Sequence, residues 1–77
     1  TVNERVEAAK QHLQHSLEWK GERLGIVEMR RHYTNYFRGL RGVKHYRSQL
    51  VTSMDIDFIY SVLDEIVEVY GGEAIMV

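Results

Sequence analysis

The sequence predicts an all-α protein, a small four-helix bundle forming a single domain over residues 1–77. Three observations carry that reading. Apolar residues recur every three or four positions in four separate stretches. Glycines at positions 21, 25, 39, 42, 71 and 72 punctuate the chain, and there is no proline. No segment alternates apolar and polar residues with the two-residue period of a strand.

Val2, Val6, Ala9, Leu13 and Leu17 form the first stripe, which predicts a helix from about residue 3 to 19, closed by Gly21. Ile26, Met29, Tyr33, Tyr36, Phe37 and Leu40 form the second, ending near Gly39 to Gly42. A shorter third helix is expected over Val43 to Val51, with Tyr46 and Leu50 facing inward. Thr52 followed by Asp55 resembles an N-cap box for the fourth helix, although such a box prefers Glu or Gln at its last position. Ile56, Ile59, Leu63, Ile66 and Tyr70 then line one face, with Gly71 and Gly72 as the stop. The apolar tail Ala74–Val77 is expected to cover the bundle end or to be the edge of a larger contact.

A chain this short buries only about 60–65% of its unfolded surface, so its core is marginal and docking onto another body is a common source of stability. With no cysteine, a disulfide, a thiolate zinc site and a cysteine nucleophile are excluded for these residues, and a reducing, cytoplasmic setting is expected. No apolar run approaches the roughly 20 residues of a membrane span. The N-terminus lacks the basic-then-apolar order of a signal peptide, and the chain opens on Thr1 rather than Met, which suggests a piece of a longer protein.

The net charge of −1 conceals a segregation. Residues 20–48 hold eight Lys and Arg against Glu22 and Glu28, while residues 49–77 hold six acids and no Lys or Arg. Met29–Arg47 contains six of the ten basic residues, three of the five tyrosines and no acid. Either the acidic helix neutralises the basic segment, or the basic segment faces an anionic partner. At about 100° per residue, Arg23 and Arg30 fall beside the apolar face of the second helix, with Arg31 and Arg38 further round the same flank. Glu28 and His32 fall on the other side, and Arg41, Lys44 and Arg47 extend the basic flank. Arginine suits phosphate because its planar fork makes two parallel charge-assisted hydrogen bonds, and interleaved tyrosines can stack on bases. Tyr33 and Tyr36 keep core spacing and are read as packed residues; Arg30, at the core edge, is also suited to pair with a buried acid.

Signals for catalysis are weak. His12 and His15, with Glu18 beyond, have metal-compatible spacing without a specified third ligand. Asp55, Asp57, Asp64, Glu65 and Glu68 are spaced as an exposed helix face. No strand precedes a glycine cluster, and Ser16, Ser48, Ser53 and Ser61 lie in no nucleophile motif, so no catalytic residue is assigned.

The run "HLQHSLEWKGERLGIVEMRRHYTNYFRGLRGVKHYRSQLVT" resembles the C-terminal helical domain of bacterial tRNA-dihydrouridine synthases. The likeness rests on the His-Leu of the first helix, a Gly-containing turn, and "MRRHYTNYFRG", similar to the family's Arg-Lys/Arg-His with an aromatic-Tyr pair. "YRSQL" is similar to a later Arg-bearing segment, and the likeness extends over about residues 5–70. Arg41 departs from it, standing where many members have proline. The resemblance implies a parent flavoenzyme that reduces uridine in tRNA with FMN and NADPH in an N-terminal TIM barrel whose cysteine supplies a proton. This chain would then hold no cofactor and would grip tRNA, not DNA, beside the barrel. The resemblance implies tRNA contacts for Arg30, Arg31 and Arg47, to which charge placement adds Arg38, Lys44 and Arg23. His32 and Tyr36 match the motif and are expected to order the helix or core. The competing expectation is a protein-interaction bundle with a basic docking face.

Overall fold

The computed structural model describes residues 1–71 and is all-α, with five helices and no strand among those residues. They are α1 (Val2–Lys20), α2 (Glu22–Arg30), α3 (Tyr33–Tyr36), α4 (Lys44–Thr52) and α5 (Ile56–Tyr70). Gly72 and the apolar tail lie outside the described residues.

α1 begins at a cap the sequence reading missed. The Thr1 hydroxyl accepts from the Glu4 amide at 3.2 Å while the Glu4 side chain reaches back, a reciprocal capping box. Val2, Val6, Ala9 and Leu13 are buried as the stripe requires, and Ser16 joins them where the helix meets α2. Leu17 is only half-buried. Gly25, read from sequence as punctuation, sits inside α2 as a contact point. A methyl group there would stand 2.8 Å from the Ser16 carbonyl carbon and oxygen. Only a hydrogen fits, so the two helices cross backbone to backbone.

The stretch expected as one second helix comprises α2 and α3. Arg31 and His32 form a turn between them, where the His32 amide bonds to Met29 at 2.9 Å, three residues back rather than four. Both residues keep right-handed helical dihedrals. The apolar spacing therefore runs on unbroken and gives no warning of the tightened turn. Met29, Tyr33 and Phe37 are fully buried, and the last two stack with ring centres 6.4 Å apart.

Between α3 and α4 the chain turns through Gly39 and Gly42, both in the left-handed region at φ 89° and 79°. Arg41 lies between them with no positive φ. Asp55, not Thr52, caps α5: its Oδ1 accepts from the Phe58 amide at 3.2 Å. Thr52 closes α4 instead, its hydroxyl donating to the Ser48 carbonyl at 2.8 Å. Ile59, Val62, Leu63, Ile66 and Tyr70 of α5 complete a core shared with Val6, Leu13, Ile26, Met29 and Leu50. Among the described residues, no helix is long and apolar enough to cross a membrane.

Candidate nucleic-acid interface

The turn from Phe37 to Val43 is held by its backbone. Arg5 of α1 donates Nη1 to the carbonyls of Tyr36 and Arg38, each at 3.3 Å. Tyr70, at the end of α5, donates its hydroxyl to the Arg41 carbonyl at 2.6 Å. Two remote helices thus fix the turn's carbonyls; Phe37, Leu40 and Val43 point into the core while the charged side chains stay outward. Arg38, Arg41 and Lys44 are exposed and Arg47 is half-buried.

Arg38, Lys44 and Arg47 share a cleft of about 260 Å3 with Thr34, Gly39 and Gly42. An adjoining cleft of about 310 Å3 is lined by Thr34, Lys44, Arg47, Ser48 and Val51. Neither contains a carboxylate. α4 starts beside them at Val43 with no side-chain cap, so the amides of its first turn add positive potential to that of the three cations. Convergent cations, a hydroxyl at Thr34 and another at Ser48 suit an oxyanion spread over several oxygens. No acid–base pair or nucleophile accompanies them.

The other predicted contacts lie elsewhere. Arg31 ion-pairs with Glu28, so the two share a side of the helix rather than lying on opposite flanks as the wheel placed them. Residues three apart are neighbours on a helix, and the pair follows from that spacing. Lys20 also reaches Glu28, at 3.2 Å, and that hydrogen bond is the first cause holding the Glu28 carboxyl below its ordinary range. Among the described residues Arg30 pairs with no acid and its buried Nε has no hydrogen-bond partner; its Nη2 lies 3.2 Å from the Met54 sulfur. Arg23 is exposed and lines neither basic cleft.

The acidic helix does not neutralise the basic segment. Among the described residues α5 makes one ion pair, from Asp64 to Lys10 of α1. Arg23, Arg38, Arg41, Lys44 and Arg47 pair with no acid among those residues.

His12 and His32 form a seam between α1 and the α2–α3 turn. His12 Nδ1 and the Tyr36 hydroxyl are 2.9 Å apart, and the rings of His12 and His32 lie 4.6 Å centre to centre. Burial, then the neighbouring His32, lowers the His12 pKa, with Glu28 opposing. No group of three or more His, Cys, Asp or Glu suited to a metal occurs among the described residues.

Sequence reasoning missed Arg5 and Tyr70 as holders of the turn. Arg5 precedes Val6 and stands four residues before Ala9, so its place at the edge of the apolar stripe was the available signal. Comparison of the chain with family models, with curated proteins and with solved structures found no match.

Proposed function

We propose that this chain is a tRNA-binding helical domain of a larger, cytoplasmic tRNA-dihydrouridine synthase. Taken together, α2 and α3 act as one bent arm of a four-armed bundle. The observation that supports the reading best is a pair of adjoining acid-free clefts, one lined by Arg38, Lys44 and Arg47 and the other by Lys44 and Arg47, beside a turn held by Arg5 and Tyr70. The sequence resemblance supplies the identity of the RNA and of the parent enzyme. Arg38, Lys44 and Arg47 take the central contacts. Arg30, Arg31 and Arg23 are peripheral, and Arg31 must share its charge with Glu28.

The flavin chemistry belongs to the parent's barrel. A flavin needs a slot that buries most of its rings. The described clefts are open surface depressions of about 260, 290 and 310 Å3 and do not fit it, so no step through FMN or NADPH is assigned to these residues.

Each phosphate contact releases condensed counterions, so affinity for tRNA falls log-linearly with salt. Alanine at Lys44 or Arg47 is expected to weaken binding to all RNAs alike and to lower the salt slope by about one unit each. If alanine at Arg38, Lys44 and Arg47 left both affinity and slope unchanged, the basic face would be merely solvated. A protein-docking role is the second reading, favoured by the exposed Leu24 and Val27 of α2 and Phe58 of α5. Such an interface tolerates salt because its centre is apolar.

A further inference from the structure

Trp19 is the most exposed large apolar side chain among the described residues, at 86%. It stands in the last turn of α1 on the rim of a third cleft, of about 290 Å3, with His12, His15, Ser16, Lys20 and Glu28. Its neighbours there are polar: two imidazoles, a hydroxyl, an ammonium and a carboxylate. An interface for a folded protein usually centres on apolar anchors packed together. Here a single indole is surrounded by hydrogen-bonding groups, an arrangement suited to a flat heteroaromatic ring with polar edges.

We propose that this cleft is a stacking platform for one unpaired nucleobase of an RNA strand. The base lies on the indole face, with its edge toward the imidazoles, Ser16 and Glu28. Lys20, which lines the cleft, and Arg31, which shares Glu28 with it, supply cations for the flanking phosphates. Stacking on an aromatic face tolerates any base, because every base has a π-face. The platform rests on the RNA reading above but uses different residues from the basic clefts. Arg5, which touches the Arg38 carbonyl, and Trp19 are fourteen residues apart on α1, or about 21 Å at 1.5 Å per residue. A strand of twelve nucleotides, at roughly 3.4 Å each, is long enough to reach both.

Trp19 is the chain's one tryptophan, so its emission reports on this cleft alone. The test titrates the 77-residue chain with a 12-nucleotide single-stranded RNA of mixed sequence and with an abasic ribose-phosphate strand of equal length. The RNA should quench the indole saturably, whereas the abasic strand should bind without quenching. Fluorescence anisotropy of labelled RNA then follows the variants. Trp19→Ala should weaken binding on the order of 10- to 100-fold with the salt slope unchanged. Trp19→Phe should recover most of the loss. Lys44→Ala should lower the slope while leaving quenching at saturation intact. Salt-dependent binding with unquenched emission, or full affinity in Trp19→Ala, overturns the platform and leaves the RNA reading standing. Emission that instead shifts with protein concentration in the absence of RNA assigns the cleft to a second copy of this chain and also overturns it. Failure of every RNA to bind defeats both readings.

Discussion

Replacing Gly25 with alanine sets two effects of opposite sign against each other. Alanine is about 1 kcal/mol better than glycine in a helix interior, so an unobstructed site would gain stability. Gly25 is obstructed: the added methyl would stand 2.8 Å from the Ser16 carbonyl carbon and oxygen and 2.9 Å from Leu17 Cα, where ordinary contact begins at 3.4 Å. All three are backbone atoms of α1, so no side chain can swing aside. α2 must therefore back away by about 0.6 Å, and gaps of that size forfeit a quarter to a half of each dispersion contact they open. Overpacking of this kind costs about 1–3 kcal/mol, occasionally more. With the propensity gain subtracted, the expected net loss is roughly 0–2 kcal/mol. For a domain of this size that corresponds to a fall in Tm of up to about 15 °C. Thermal melting followed by circular dichroism at 222 nm checks it, with urea unfolding as a second measure (222 nm being about where helical signal is read). A Tm that rises by several degrees would refute the reasoning, because only an open helix position responds that way.

Two further predictions concern buried tyrosines. Tyr33 is fully buried, its hydroxyl has no partner among the described residues, and its pKa is pushed up to about 12, first by burial and then by Tyr60, with Arg30 opposing. A raised folded value means the unfolded chain loses this proton first. The contribution is thus complete below pH 10 and is lost between about 10 and 12, amounting to about 2–3 kcal/mol. Tyr33→Phe should lose that part of the alkaline decline in unfolding free energy and should be at least as stable as the parent at pH 7, since an unpaired buried hydroxyl disappears. A strongly destabilised Tyr33→Phe at neutral pH would mean the hydroxyl has a partner. Tyr70→Phe removes the 2.6 Å bond to the Arg41 carbonyl, with an expected cost of about 1 kcal/mol. It should also weaken tRNA binding without changing the salt slope, because it loosens the turn but removes no charge; an unchanged affinity would show that the turn keeps its shape without this bond.

Most of the core was legible because period largely determines it, although Leu17, Tyr36, Tyr46 and Ile56 are only partly buried and the buried Val62 lay outside the stripes. Val6, Leu13, Ile26, Met29, Leu50, Ile59 and Leu63 were all placed inward by spacing, and all are buried. What spacing could not show was any event that leaves the period intact. The turn at Arg31–His32 keeps helical dihedrals, so the stripe crosses it unmarked. Gly25 looks like a stop in sequence, because a close helix crossing and a helix end both demand a residue without a side chain. The candidate site was partly legible. Charge placement pointed to Arg38, Lys44 and Arg23 and the resemblance to Arg47; Lys44 and Arg47 line both clefts, Arg38 lines one and Arg23 neither. A helical wheel treats each helix alone, however, and so grouped Arg31 with Arg30 when the pull of Glu28 separates them. The hold of Arg5 and Tyr70 on the turn depends on contacts across 33 and 29 residues, for which no local pattern exists.

That hold separates what shapes the turn from what the turn displays. Arg5 and Tyr70 grip carbonyl oxygens, which every residue type provides. The side chains of Arg38, Arg41 and Lys44 are therefore free to change without a change in the path of the chain, provided Gly39 and Gly42 stay. Selection, or a designer, can retune the sign and density of charge at this corner one residue at a time, while the bundle beneath keeps its fold. A variant carrying acids at those three positions would be the same scaffold with its electrostatic preference reversed.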